Sequence, residues 1–394
     1  MEIESTDIPN LFNQNINNEV YDYWKPDVLL LGPGGAKGFL ELGLLLSFEE
    51  EKYYEETSIW QGCSIGSAIA LLVVCGYSIT EIINDCLSVN IINDITDINL
   101  DHITEKPGLL NIKSVENLMK QRVQQKFGMI PTLKQLYMVT GILLEMATFN
   151  VDKERSEYLS KDTEPNLSCV EAAIMSMAIP GLICPRIYKG YAYVDGAVGD
   201  PYPILEYDDG TKRVLGVYID SEQSSHSSDK NPIRFLYRCA QGSMKRLRDR
   251  SIKSASNMCK HIPLRTPITD TTGLSFDNNT KISMIEQGYK SGKIFMNKVK
   301  YPEKYRLVLN EDEEIPIENE IQRNILDNDT MEMINMLSNS GNQHLVFNDS
   351  QIEEDLFVSD LDNPSSQEED ENTLIIPITP DIRRNLNSLY SNIQ

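Results

Sequence analysis

Four apolar residues, Val28-Leu29-Leu30-Leu31, run without a polar break into Gly32-Pro33-Gly34-Gly35, and a mostly apolar stretch from Phe39 to Leu46 follows. An unbroken apolar run that ends at a glycine turn predicts a strand buried on both faces, and the stretch after the turn predicts a helix. The grammar repeats at residues 59–74. Ile59 and Trp60 lead as a short strand into Gly62-Cys63-Ser64-Ile65-Gly66, and Ser67 to Val74 reads as a buried helix. Ser78 with Glu81, Thr132 with Gln135 and Ser168 with Glu171 have the spacing of capping boxes, which mark further helix starts. Leu143 to Asn150 and Arg213 to Asp220 read as strands, the second after the turn Asp208-Asp209-Gly210. Strand-like runs alternating with helical patterns from Asp27 to about Asp220 predict an α/β fold, three-layer α/β/α around a central, mostly parallel sheet.

The glycine turns are where chemistry enters. A G-x-S-x-G turn between strand and helix can present a serine hydroxyl at a sharp corner, so Ser64 is the candidate nucleophile and Gly62 and Gly66 frame it. The turn at Gly34-Gly35-Ala36-Lys37-Gly38 fits neither G-x-G-x-x-G nor a phosphate loop, because Lys37 is followed by Gly38-Phe39 and not by the Ser or Thr that the latter needs. Its remaining use is to offer backbone N–H groups at a helix start to a developing negative charge. Asp195-Gly196-Ala197 follows the strand-like Tyr193-Val194 and would expose Asp195 at a strand end as the candidate base. The four histidines, His102, His226, His261 and His344, have no glycine-flanked or strand-end setting and read as solvated loop residues, which points to a Ser-Asp pair without histidine. Cys63 reads as packing, and the proposed chemistry needs no metal or cofactor.

These residues closely resemble the patatin-like phospholipase family, whose hallmarks are a G-G-x-[RK]-G oxyanion loop, a G-x-S-x-G nucleophile and a D-G-[GA] aspartate. They stand in that order here, and Ser176-Met177-Ala178-Ile179-Pro180-Gly181 resembles a fourth segment, A-S-x-A-x-P, placed before the family's Y-V-D-G strand. The resemblance spans about Asp27 to Asp220, with weaker echoes to about Phe295. It implies Ser64 as nucleophile, Asp195 as base, and Gly34, Gly35, Ala36 and Lys37 as the oxyanion region. It also implies a lipid acyl hydrolase of phospholipase A or lysophospholipase type, with a phospholipid or lysophospholipid substrate. One departure is Pro33, where the family usually has glycine; proline has no N–H to donate. Two other readings stay open: an inactive membrane-binding or scaffold protein, and a Ser-His-Asp carboxylesterase or thioesterase using His226 or His261.

Charge divides the chain unevenly. The net charge of −23 gives no reason to expect a nucleic-acid partner. Residues 232–258 nevertheless crowd Arg234, Arg238, Lys245, Arg246, Arg248, Arg250 and Lys253 onto a helical pattern with only Asp249 opposing. That segment reads first as a solvated helix, docked against the chain's own acidic tail, and second as a contact with anionic lipid headgroups. From about Glu311 to Glu371 the chain is acidic and low in aromatics, as a loosely attached extension would be. The expected organisation is a polar lead-in over 1–25, a patatin-like domain over 26–300 and an acidic extension over 301–394. Seven scattered cysteines fit a reducing compartment, and neither a signal peptide nor a membrane-spanning run is evident. A cytoplasmic protein meeting its lipid peripherally at a membrane surface is the expectation.

Overall fold

The computed structural model describes residues 23–88, 108–110, 112–221, 232–268 and 276–301. His102, His226, His344 and the acidic extension from residue 302 lie outside them. In chain order the first half carries β1 (Val28–Leu31), α1 (Gly38–Glu50), β2 (Ile59–Cys63), α2 (Ile65–Val74), α3 (Ile79–Ser88), β3 (Gly108–Leu110), α4 (Lys113–Phe127), α5 (Leu133–Thr140) and β4 (Leu143–Asn150). The second carries β5 (Arg155–Leu159), α6 (Cys169–Ser176), β6 (Gly181–Ile183), β7 (Arg186–Tyr188), β8 (Tyr191–Asp195), β9 (Val214–Ser221), α7 (Pro232–Ser254), β10 (Cys259–Thr266) and α8 (Asn278–Lys300).

Strands β10, β9, β1, β2 and β4 pair in that order, all parallel, and form the centre of the sheet. Their apolar character on both faces is what a covered parallel sheet requires. Leu29 and Leu31 point into the larger core with α1, α2, α6 and α8, while Val28, Leu30 and Val214 pack on the opposite face with Tyr202, Ile204, Ile252 of α7 and Ala255 just past its end. The architecture is therefore helix layer, sheet, helix layer. A small parallel pair, β3 with β6, stands apart.

The strand β4 has three partners, and their registers fix the site. Its residues Leu143–Ala147 pair with Ile59–Cys63 of β2, and Met146–Asn150 pair antiparallel with β5, which must occupy the other edge because the two ranges overlap. Thr148–Asn150 pair antiparallel with Tyr193–Asp195 of β8. Since β5 overlaps that range too, β8 lies on the same edge as β2, just beyond its end. Rising β2 and descending β8 thus meet head to head at the neighbouring residues Ala147 and Thr148.

Three sequence expectations change. The basic helix ends at Ser254 rather than 258, because Asp208 takes the Ser256 N–H (2.6 Å) and the chain turns into β10, an unanticipated strand. His261 is no loop residue: it sits on β10, partly buried, with Nδ1 3.0 Å from the Tyr202 hydroxyl. The box at Thr132 and Gln135 is complete, but at α6 Ser168 accepts the Glu171 N–H (3.4 Å) while the Glu171 carboxylate lies 3.8 Å from Arg186 Nε.

Candidate active site

At the end of β2 the backbone turns directly into α2 at Ser64, which takes φ 57° and ψ −127°. A positive φ on a residue with a Cβ is strained by about 1–3 kcal/mol and survives only where its surroundings hold it. Both flanking glycines are steric necessities. A Cβ on Gly62 would meet Ser67 Cα at 2.5 Å, and one on Gly66 would meet the Leu31 carbonyl oxygen at 2.3 Å. The bare chain lets α2 start hard against the ends of β1 and β2.

Descending β8 delivers Asp195 opposite this corner. Ser64 Oγ donates to Asp195 Oδ2 at 2.5 Å, and Asp195 Oδ1 accepts the Ala197 N–H at 2.9 Å. Both residues are only 3% exposed. Burial lifts the Asp195 pKa to about 6, against the hydrogen bonds from Ser64 and Ala197, which lower it. A base poised near 6 is ionised at neutral pH, yet stronger than an ordinary aspartate. The loop after it is braced: Asp200 accepts the Tyr158 hydroxyl (2.7 Å) and the Tyr202 N–H (3.2 Å). Thr148 Oγ1 donates to the Val194 carbonyl (2.9 Å), tying β8 to β4.

The glycine loop faces the elbow. Gly35–Lys37 form a 3-10 turn that runs into α1, and a Cβ on Gly38 would meet Ile65 Cγ1 at 2.7 Å. The first N–H groups of such a start have no acceptor within the helix. Lys37 is a different case. Its N–H is spent on the Gly34 carbonyl (3.2 Å), and its buried Nζ donates to Ser221 Oγ at 2.6 Å, at the end of β9. Gly34 lies under Ile219, whose Cδ1 a Cβ there would meet at 2.2 Å. Cys63 is fully buried, its thiol pushed well up first by burial and then by Asp195 and Asp200, so it is packing and not a nucleophile. His261 is three strands from β2, about 14 Å at ordinary strand spacing. Among the described residues there is no cluster of side chains that could hold a metal ion.

Ser176, at the end of α6, is a residue to which sequence reasoning gave no role. Its Oγ accepts the Ser64 N–H at 3.0 Å and lies 2.8 Å from Ser67 Oγ. Two residues on, the Ala178 carbonyl accepts the Asp195 N–H at 2.9 Å. The resemblance of this segment to A-S-x-A-x-P was its only signal.

The basic helix α7 overlies the same end of the sheet. Met244 packs on Cys63, Ala147 and Ala197. Arg238, Arg246 and Arg250 are exposed, as are Phe235 and Leu247. Arg248 turns inward: it donates to the Ile219 carbonyl and to Asp220 (both 3.1 Å), with its guanidinium 4.4 Å from the Tyr218 ring centre. Lys245 stands 3.7 Å from Asp220. Arg234 lies on α7, but its side chain is outside the described residues. No described helix is long and apolar enough to cross a membrane.

Residues 29–208 match the model of the Patatin-like phospholipase family. The chain is 28% identical over 200 residues to Uncharacterized protein R571 of Acanthamoeba polyphaga mimivirus, a match that covers 48% of this chain and 64% of that one. It is 25% identical over 225 residues to Probable lipid hydrolase 463L of Invertebrate iridescent virus 6, covering 55% and 75%. The crystal structure of VipD from Legionella pneumophila superposes with a TM-score of 0.47 at 16% identity, covering 70% of this chain and 67% of that one.

Proposed function

Taking as premise that residues 29–208 are patatin-like, we propose that this chain is a lipid acyl hydrolase of phospholipase A or lysophospholipase type, working through Ser64 and Asp195. The observation that carries the reading is the 2.5 Å hydrogen bond between a serine on a strained strand-to-helix corner and a buried carboxylate whose pKa is near 6. Ser64 Oγ attacks the ester carbonyl and its proton passes to Asp195. The N–H groups of Gly34, Gly35 and Ala36 stabilise the tetrahedral oxyanion; Pro33 and Lys37 contribute none. Asp195 then gives the proton to the departing alcohol oxygen, leaving an acyl-serine. Water passes a proton to Asp195 as it attacks the acyl carbon, and the proton returns to Ser64 as the fatty acid leaves.

The lipid is met peripherally, at an anionic surface, through the outer face of α7. Arg238, Arg246 and Arg250 supply charge, with Arg234 on the same helix, and Phe235 and Leu247 supply apolar area. Arg248, only 11% exposed, is directed instead to Asp220 and the Ile219 carbonyl, while Lys245, 42% exposed, stands 3.7 Å from Asp220 at the border of that face. The seven free cysteines support a reducing, cytoplasmic setting.

The test is fatty-acid release from phospholipid and lysophospholipid vesicles, with labelling by a fluorophosphonate. Wild type releases fatty acid and is labelled; Ser64→Ala does neither, and Asp195→Asn falls by several orders of magnitude. Wild type that does neither leaves a non-catalytic lipid-binding role. Activity that survives in either variant removes the dyad.

A further inference from the structure

The two members of the dyad belong to different strands, and nothing in either strand alone sets their separation. The end of α6 touches both. Ser176 Oγ holds the N–H of Ser64, and the Ala178 carbonyl holds the N–H of Asp195, at 3.0 and 2.9 Å. Ser176 is wholly buried, and its Oγ also lies 2.8 Å from Ser67 Oγ on α2. With its N–H so held, Ser64 keeps the positive φ that aims Oγ at the carboxylate. Resting on the hydrolase reading above, we propose that Ser176 is a positioning residue: with Ala178 it forms a bracket at the end of α6 that sets the distance between the Ser64 hydroxyl and the Asp195 carboxylate.

The bracket acts through alignment and not through contact with substrate. Removing the Ser176 hydroxyl leaves the Ser64 N–H buried without an acceptor and frees the corner to relax toward an unstrained φ. The hydroxyl then leaves Asp195, which loses a hydrogen bond that favours its ionised form. Turnover and the acid limb of the pH profile should move together, a coupling that a merely structural role does not produce.

Ser176→Ala is expected to lower kcat by about 100-fold, the scale of a misplacement near 1 Å, with KM little changed. Its acid limb should shift upward from the wild-type position. Ser67→Ala, which leaves the bond between Ser176 and the Ser64 N–H in place, should stay within about twofold of wild type. In an Asp195→Asn background the added Ser176→Ala change should have no further effect beyond that margin. A Ser176→Ala enzyme with normal kcat overturns the bracket. So does one whose activity falls only as its melting temperature falls, with the acid limb unmoved. If wild type itself shows no hydrolysis and no probe labelling, the hydrolase reading fails. The bracket is then judged by a crystal structure of Ser176→Ala, where an unchanged Ser64–Asp195 distance overturns it.

Discussion

Gly43 on α1 and Ile285 on α8 approach so closely that a Cβ on Gly43 would sit 1.9 Å from the Ile285 carbonyl oxygen. Gly288 repeats the relationship from the other side, against the Leu40 carbonyl oxygen, also at 1.9 Å. Helix α8 begins at Asn278, well past residue 208 where the family match ends, yet it lies backbone to backbone on the helix that follows the glycine loop Gly34–Gly38. Gly43→Val and Gly288→Val should each lose more than about 3 kcal/mol in urea unfolding followed by circular dichroism. Gly242→Ala is the control. It sits in α7 with open space around it and should gain about 0.5–1 kcal/mol.

With Asp195 as the base proposed above, the pH profile of hydrolysis should have its acid limb near pH 6, because a carboxylate accepts a proton only when ionised and burial places this pKa at about 6. Below that pH kcat/KM should fall tenfold per unit. A limb near pH 4 would mean that the carboxylate is solvated in the working enzyme.

The same raised pKa predicts that Asp195→Asn is more stable than wild type at pH 8. An aspartate at the ordinary value of 3.8 in the unfolded chain and about 6 when folded loses stability as pH rises from the first value to the second. Above 6 the loss is complete, roughly 3 kcal/mol at 1.36 kcal/mol per unit. Thermal melts should show the variant ahead at pH 8 and the gap closing toward pH 4. No gap at pH 8 would contradict the buried, ionised Asp195.

Arg248 and its neighbours on α7 should separate by experiment. Arg248→Ala removes bonds to Ile219 and Asp220 from a side chain only 11% exposed, and should cost about 1–3 kcal/mol of stability. Reversing Arg246 and Arg250 to Glu should leave the melting temperature within about 2 °C and weaken sedimentation with anionic vesicles at least tenfold, since charge near such a surface is worth about 1 kcal/mol per residue. Unchanged sedimentation would remove α7 from the lipid surface.

What could be read from the sequence was whatever is local. The runs before Gly32 and Gly62, the elbow around Ser64 and the strand Leu143–Asn150 each state their conformation in a few consecutive residues, and the last was read with both ends in place. The strand β10, Cys-Lys-His-Ile-Pro-Leu-Arg-Thr, was missed because it pairs in the sheet on one side only and has no unbroken apolar run. Helix α8 was missed for the opposite reason. Its Gly288 and Gly292 look like helix breakers in one dimension, although in space they are the surface on which α1 lies. Ser176 was visible only as part of a motif, since the Ser64 amide it serves is 112 residues away.

The head-to-head meeting of β2 and β8 has a consequence for biosynthesis. A nascent chain that has emerged only through β4 already holds the parallel core strands β1, β2 and β4 and the serine-bearing corner, but no carboxylate to activate it. On the hydrolase reading proposed above, the dyad is complete only when the antiparallel segment ending at residue 195 docks beside β4. Until then, on that reading, the serine of a growing chain has no base to take its proton.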